Sequence, residues 1–329
     1  MAILVTGGAG YIGSVAVKDL IEKGEEVVVI DNLVYGHRQA IEKDVPFYEG
    51  DIGDKDLVAK ILDKHSIEAC MHFSAFAYVG ESVRDPQKYY ANNLAGTLAL
   101  LAAMREAGCN RLVFSSTGAV YGNADSKALR EDYPCVPINP YGASKWMIER
   151  VLADYRTAYG LGSFALRYFN ASGADPAGGI GEQRDVETHL IPRAMMALQG
   201  HVADFAVFGD DYATPDGTAI RDYIHVTDLA AAHVLALKLL MAGHSGGVFN
   251  LGTGNGFSVR EILSAIAAET GREVPHVVKP RRAGDPTYLV ADASAAHETL
   301  HFRPAHSDLA TIIRTAWAWH QKAHPLKAG

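Results

Sequence analysis

Cysteine is scarce in this chain of 329 residues, and Cys70, Cys109 and Cys135 are too few and too scattered for a disulfide framework or a zinc knuckle. The 14 histidines show no metal-ligand spacing such as H-E-x-x-H, so no metal site is expected. Runs of lysine or arginine are missing as well. With 30 basic against 38 acidic side chains and a net charge of -8, the chain lacks the electrostatic footprint of a nucleic-acid binder. Any anionic ligand must therefore be held by local arginines. No apolar span reaches about 20 residues, and Met1 to Val5 lead straight into a strand and a glycine turn without a charged leader. A reducing cytoplasm, with no membrane insertion, is the expected setting.

What is present is ordinary globular material: 48% hydrophobic and 21% charged residues, enough for one large or two intimate domains. Short apolar runs recur with helical stretches between them: Ile3–Val5, Val27–Ile30, Ala69–Phe73, Leu112–Phe114 and Ser163–Arg167. Their hydrophobicity is continuous rather than alternating, as strands covered on both faces require. The expected fold is α/β, a Rossmann-like doubly wound parallel sheet with a smaller, discontinuous C-terminal α/β substrate domain. After about Phe169 the rhythm weakens into Gly-, Asp- and Pro-rich stretches, Ala171–Glu187 and Gly209–Gly217, which read as functional or lid-like loops. A return to the sheet is expected at Gly247–Leu251. Residues 1–170 with about 225–252 would then form the first domain, and 171–224 with 253–329 the second.

Gly8-Ala9-Gly10-Tyr11-Ile12-Gly13 is G-x-G-x-x-G, extended by Gly7 to G-x-x-G-x-x-G, directly after a strand and before the helical stretch Ser14–Lys23. Such a turn visits dihedrals closed to other residues and lets a pyrophosphate approach a helix N-terminus. The motif alone fits any tight strand-to-helix turn. Its context is sharper, because the second strand ends in Asp31, about 20 residues on, where a carboxylate accepts from ribose hydroxyls and repels a 2′-phosphate. NAD is therefore expected over NADP, although His37 and Arg38 stand close by. Asp51-Ile52, after a third expected strand, either flanks the adenine or simply ends that strand.

Tyr141 and Lys145 form Y-x-x-x-K within Pro140-Tyr141-Gly142-Ala143-Ser144-Lys145, with Pro140 suited to open a helix running to about Tyr159. At i and i+4 the two side chains share a face about 6 Å apart at Cβ. A phenol titrates near pH 10, so a base poised near 7 needs about 4 kcal/mol of phenolate stabilisation from Lys145 and a nicotinium charge. Phe114-Ser115-Ser116-Thr117 ends a strand where ligands of open α/β folds sit. Thr117 there could bond the same substrate hydroxyl, or merely cap a turn.

Taken in order, T-G-G-x-G-Y-I-G, V-x-x-D-N-L, H-F, V-G-E-S-V, F-S-S, V-Y-G, P-Y-G-x-S-K, R-Y-F-N and R-D-Y-I-H-V resemble the extended short-chain dehydrogenase/reductases of the NAD-dependent epimerase/dehydratase group, over nearly the whole chain. The resemblance implies reversible C4 inversion of UDP-galactose and UDP-glucose through a transient 4-keto sugar, with NAD held tightly. It makes Tyr141 the base and places Lys145 on the nicotinamide ribose, Thr117 on the sugar and Tyr168 beside the nicotinamide. Gly7, Gly10, Tyr11, Ile12, Gly13, Asp31, Asn32, Asp51, Ile52, Phe73, Asn92 and Ser115 would complete the cofactor site. Asn170, His189, Leu190, Phe208, Arg221, Arg282 and Asp285 would take the UDP-sugar, with Leu289 in the sugar pocket. A homodimer through the stretches Gln87–Ala107 and Pro140–Tyr159 is implied by the same likeness.

Three positions depart from that pattern. Val15 replaces the usual histidine, Ser74–Tyr78 lacks a lysine that some members place near the cofactor, and Leu289 is intermediate between the tyrosine and the small residues that tune sugar choice. A preference for a UDP-N-acetylhexosamine or UDP-pentose therefore stays open. Nucleotide-sugar 4,6-dehydratases resemble this chain too, but carry an acid just after the threonine, where Gly118 and Ala119 stand. A non-catalytic NAD-sensing protein is the reading from another class, and intact Tyr141, Lys145 and Thr117 argue against it.

Overall fold

A computed structural model of the chain describes residues 1–282 and 285–325. Residues 283–284 and 326–329, which fall in the expected second domain, lie outside the described residues. In chain order the strands are β1 (Ala2–Thr6), β2 (Glu26–Asp31), β3 (Phe47–Glu49), β4 (Ala69–His72), β5 (Arg111–Thr117), β6 (Ser126–Leu129), β7 (Gly162–Tyr168), β8 (Asn170–Ser172), β9 (Ala206–Phe208), β10 (Ile220–His225), β11 (Gly246–Leu251), β12 (Gly256–Ser258), β13 (Val277–Lys279) and β14 (Tyr288–Ala291). The longer helices are α1 (Tyr11–Glu22), α2 (Lys55–Lys64), α3 (Gly96–Glu106), α4 (Pro140–Tyr159), α5 (Leu190–Leu198), α6 (Val226–Met241), α7 (Val259–Thr270) and α8 (Leu309–Ala323).

Seven parallel strands form the main sheet in the order β11-β7-β5-β4-β1-β2-β3. Because successive side chains of a strand point to opposite faces, each apolar run feeds two cores. Ile3, Val5, Val27, Val29 and Phe164 face one core with Leu20 of α1 and Leu229 and Leu237 of α6. Leu4, Val28, Ile30, Leu112 and Phe114 face the other with Ile61 of α2, Leu100 of α3 and Ile148 of α4. The doubly wound Rossmann-like sheet expected from the sequence is thus the observed fold.

The strand order reverses between β1 and β4, and a crevice opens there beyond the carboxyl ends of the strands. The glycine turn follows β1 and Phe73 follows β4, so both stand at that crevice.

The chain leaves the sheet after β7 and builds a second layer. A mixed sheet runs β12-β10-β14-β6, with β8 paired to β10. Ile191 and Met195 of α5, Ile262 and Ile266 of α7, and Ile312 and Ile313 of α8 close a separate core. The expected loop from Ala171 therefore needs correction at its start: Asn170–Ser172 is a strand, bonded in parallel register to Tyr223–His225. Three residues are too few for a period to show, and the partner lies some fifty positions on. The expected helix over Gln87–Ala107 is a helical run from Pro86 to Glu106, interrupted by a wide π-type turn at Tyr90–Ala95.

Helix α4 shows how local signals set a boundary that function needs. The Asn139 side chain accepts from Gly142 N at 2.8 Å, Pro140 follows at the first turn, and Gly160 ends the helix in the left-handed region at φ 70°. One buried ion pair ties α4 to the sheet beneath the site. Arg167 Nη2 of β7 lies 2.6 Å from Glu149 Oε2, both side chains at most 5% exposed. Arg167 Nη1 also donates to the Tyr121 hydroxyl at 2.8 Å, which in turn donates to Asn250 Oδ1 at 2.7 Å. Removing one member strands a buried charge. Glu149→Ala should therefore lower stability by about 3–5 kcal/mol in urea denaturation. A loss below about 1 kcal/mol would show that the pair is replaceable by solvent.

Candidate active site

Gly7 follows β1 with φ +68°, and its amide donates to Ile30 O at 2.9 Å. A Cβ on Gly7 would stand 2.6 Å from Ser74 N, and one on Gly13 would stand 2.2 Å from Gly7 O. Both glycines are fixed by backbone packed against them. Gly10 differs, since a Cβ there would meet only Gly7 O at 3.3 Å and would otherwise face open space. That space is a cavity of about 130 Å³ lined by Gly7, Gly10 and Gly13 at one end and by Ser115, Tyr141, Lys145 and Tyr168 at the other. It adjoins a second of about 90 Å³, lined by Asp31, Asn32, Asp51, Ile52, Phe73 and Asn92.

Asp31 closes the turn from below. Its carboxylate accepts from Ala9 N at 2.9 Å and Leu33 N at 2.8 Å, and burial raises its pKa against those bonds. A Cβ on Gly36 would press within 2.7 Å of Asp31 Oδ1, so glycine lets this buried carboxylate keep its place in the cavity lining. Asn32 Nδ2 donates to Asp51 Oδ2 at 3.1 Å, which joins the two expected adenosine-side positions.

Tyr141, Lys145, Thr117 and Ser115 meet where α4 crosses the end of β5. Lys145 Nζ donates to Ser115 O at 2.8 Å, and burial brings its pKa down to about 7, with Glu149 opposing that fall. Burial pushes the Tyr141 phenol up, while a hydrogen bond with Thr117 and the charge of Arg184 pull it back. Thr117 caps a turn, its Oγ1 accepting from Ala119 N at 3.1 Å, and it also bonds Tyr141. The Ser115 hydroxyl shares a hydrogen bond with the Tyr168 hydroxyl at 2.6 Å.

Beyond Tyr141 opens a cavity of about 330 Å³, bounded by Thr117, Asn170, His189, Leu190, Arg221 and Leu289. Asn170 Nδ2 donates to Asp222 O at 2.8 Å. Arg221 donates to Ile220 O at 2.9 Å, and burial lowers its pKa against the pull of Asp285. Its guanidinium is a cation beside a void in an acidic chain. Phe208, Arg282 and Asp285 do not border this cavity. They form a group of their own, with Arg282 Nε bonded to Asp285 Oδ2 at 2.9 Å and its guanidinium 4.8 Å from the Phe208 ring centroid.

The sequence did not point to Glu182, Arg184, Glu187 or Trp319. Glu182 Oε1 receives both His189 Nδ1 at 2.6 Å and Arg184 Nε at 3.0 Å, while Glu187 accepts from His189 N at 2.8 Å. The available signal was the mixed charge of Glu182–Glu187 inside the loop Ala171–Glu187, already marked as functional. Burial alone would depress the His189 pKa, but the Glu182 carboxylate reverses this and leaves it raised. A raised histidine contributes stability that is complete below its unfolded value of about 6.5 and fades as pH climbs through the native one. The melting-point difference between wild type and His189→Gln should accordingly shrink above about pH 6.5. A difference constant from about pH 5 to 9 would mean that the pair is not charged.

Residues 3–252 match the NAD dependent epimerase/dehydratase family. The chain belongs to this family. It is 47% identical over 325 residues to a UDP-glucose 4-epimerase of Lacticaseibacillus casei, which covers 99% of this chain and 98% of that one. The crystal structure of UDP-glucose 4-epimerase from Brucella ovis in complex with NAD superposes with a TM-score of 0.94 at 53% identity, covering 96% of this chain and 97% of the other. The enzyme from Bifidobacterium longum in complex with NAD+ and UDP superposes with a TM-score of 0.90 at 35% identity over 100% of both chains. No helix among the described residues is long and apolar enough to cross a membrane.

Proposed function

We propose that this epimerase interconverts UDP-galactose and UDP-glucose by inversion at C4, with NAD retained throughout the cycle. The observation that carries the reading is the placement of Tyr141 on the wall shared by the glycine-turn cavity and the Arg221 cavity. A group there touches ligands in both.

The cofactor cavities fit a dinucleotide: two glycines are pinned by backbone, the third leaves its side-chain position open, and the Asp31 carboxylate lines the ribose end. Gly7, Gly10, Tyr11, Ile12 and Gly13 would hold the pyrophosphate, and Asp31, Asn32, Asp51, Ile52, Phe73 and Asn92 the adenosine half. Ser115, Lys145 and Tyr168 would hold the nicotinamide half. When bound, NAD supplies the hydride acceptor, the hydride donor and a positive ring charge. In the larger cavity Arg221 takes the diphosphate, Asn170, His189 and Leu190 contact the nucleotide sugar, and Thr117 and Leu289 flank the hexose. Arg282, Asp285 and Phe208 extend this site at its rim.

Tyr141 takes the proton of the 4-hydroxyl as the C4 hydride leaves, and returns it to the ketone oxygen after the sugar has turned over. Thr117 holds the hydroxyl and the phenol together. Lys145, anchored on Ser115 O, positions the nicotinamide ribose and adds positive charge beside the phenolate. Gly118 and Ala119 offer no acid for a dehydratase's elimination step. Residues 1–170 with about 225–252 thus carry the cofactor, and 171–224 with 253–329 the nucleotide sugar. Exposed Leu98, Met147 and Tyr159 lie on α3 and α4, and those helices pair two copies into a cytoplasmic homodimer. UDP-galactose deuterated at C4 tests the chemistry. The label should appear at C4 of the glucose product, and its loss to solvent would reject a hydride that is lent and returned.

A further inference from the structure

The segment from Gly173 to His189 is stapled to both sides of the molecule. Tyr11 OH donates to Gly173 O at 2.6 Å and Lys18 Nζ to Asp175 Oδ1 at 3.0 Å, both from α1, immediately beyond the glycine turn. His37 Nε2 lies 3.3 Å from Gln183 O. From the other layer, Trp319 Nε1 of α8 donates to Glu182 O at 3.0 Å. The strap thereby places Gln183 and Arg184 in the lining of the cofactor cavity, with Arg184 on the wall of the Arg221 cavity as well.

Among the described residues lining the two cofactor-side cavities, Lys145 and Arg184 are the only lysine or arginine side chains. Lys145 is committed to Ser115 O at the nicotinamide end. The cavity wall that holds Gly7, Gly10 and Gly13 therefore has one cation within reach, Arg184. A dinucleotide brings a pyrophosphate with two negative charges to that wall, where a helix N-terminus offers about half a positive charge. The chain as a whole is acidic, and Asp31 and Asp51 add repulsion nearby.

Arg184 has capacity to spare. Its Nε pairs with Glu182 at 3.0 Å, but Glu182 Oε1 is shared with His189 Nδ1 at 2.6 Å. The guanidinium is steadied 5.3 Å above the Tyr78 ring. A planar fork of five N–H donors that bonds, among the described residues, only Glu182 and the Tyr78 side chain keeps others for a phosphate oxygen.

We infer that Arg184 is a cofactor-binding residue that clasps the NAD pyrophosphate from above, and that the strap carrying it keeps the dinucleotide from exchanging. The inference rests on the functional reading given above. A residue of the second layer thereby locks a cofactor seated on the first.

The test is release of bound NAD from purified holoenzyme, followed over ionic strength for wild type, Arg184→Gln and Arg184→Lys, with the KM for UDP-glucose measured in parallel. Arg184→Gln should release NAD about tenfold faster or more, the scale of one charge-assisted bond, and lose part of the salt dependence. Arg184→Lys keeps the charge without the fork, so its release should fall between that of Arg184→Gln and wild type and keep the wild-type salt dependence. Mere loosening of the strap would leave the salt dependence intact and lysine would not rescue, which overturns the assignment. Unchanged release with a raised KM would also overturn it, by placing Arg184 on the nucleotide sugar. A wild-type chain purified without NAD would instead refute the functional reading itself.

Discussion

Replacing Tyr141 by phenylalanine should lower kcat by about 100- to 10,000-fold, the span over which a positioned acid–base group contributes. The ring keeps its packing, including the edge contact with Tyr89 at 6.5 Å between centroids, so the site itself survives. NAD content and the KM for UDP-galactose should stay within about threefold of wild type, since only a hydroxyl is lost. The size of the effect follows from the electrostatics. Burial raises the phenol and brings Lys145 down to about 7, so at rest the proton stays on Tyr141. That neutral form is the one able to protonate a ketone. Its conjugate base forms only when positive charge is added beside it, from Arg184, a protonated Lys145 and a bound nicotinamide ring. Among the described residues, the other phenols that line both cavities are engaged elsewhere, Tyr11 donating to Gly173 O and Tyr168 sharing a bond with the Ser115 hydroxyl. A variant retaining more than about a tenth of wild-type turnover would remove Tyr141 from the role.

The glycine turn gives the second large effect, and it separates binding from folding. Gly13→Ala would set a methyl 2.2 Å from Gly7 O and 2.9 Å from Gly8 Cα, so the backbone of the turn must move. Stability and cofactor should both be lost, with about 1–3 kcal/mol of overpacking cost in denaturant titration. The Cβ that Gly10→Val adds meets nothing closer than 3.3 Å and borders the space proposed for the pyrophosphate. Its stability without cofactor should match wild type, while NAD per chain on purification falls at least tenfold, a change of about 1.4 kcal/mol or more in binding. The two variants therefore fail in different ways. Equal NAD content in Gly10→Val and wild type would show that the pyrophosphate lies elsewhere.

Much of the first layer was legible because its signals are local. Apolar runs mark strands buried on both faces, Asn139 and Pro140 open α4 as Gly160 closes it, and Asp31 ends β2 at the distance such a carboxylate requires. Tyr141, Lys145 and Thr117 were visible for the same reason: a helical i,i+4 pair and a strand end can be read within a few residues. The second layer resists such reading. β8 is three residues long and owes its existence to β10, and the Arg184 strap is held by Tyr11, Lys18 and Trp319 across more than a hundred positions. The grouping of Phe208, Arg282 and Asp285 outside the main cavity is likewise a fact of three dimensions. Motif order named these residues but could not say that they stand apart.

The central claim is that NAD is a resident of this site, lent a hydride and restored within each cycle. It is tested most directly by purifying the chain without added cofactor, releasing its nucleotide by denaturation, and assaying a parallel sample on UDP-galactose with no NAD supplied. Near-stoichiometric NAD and sustained conversion to UDP-glucose are the predicted results. Turnover that requires added NAD in step with product would contradict the account and make the enzyme a net dehydrogenase.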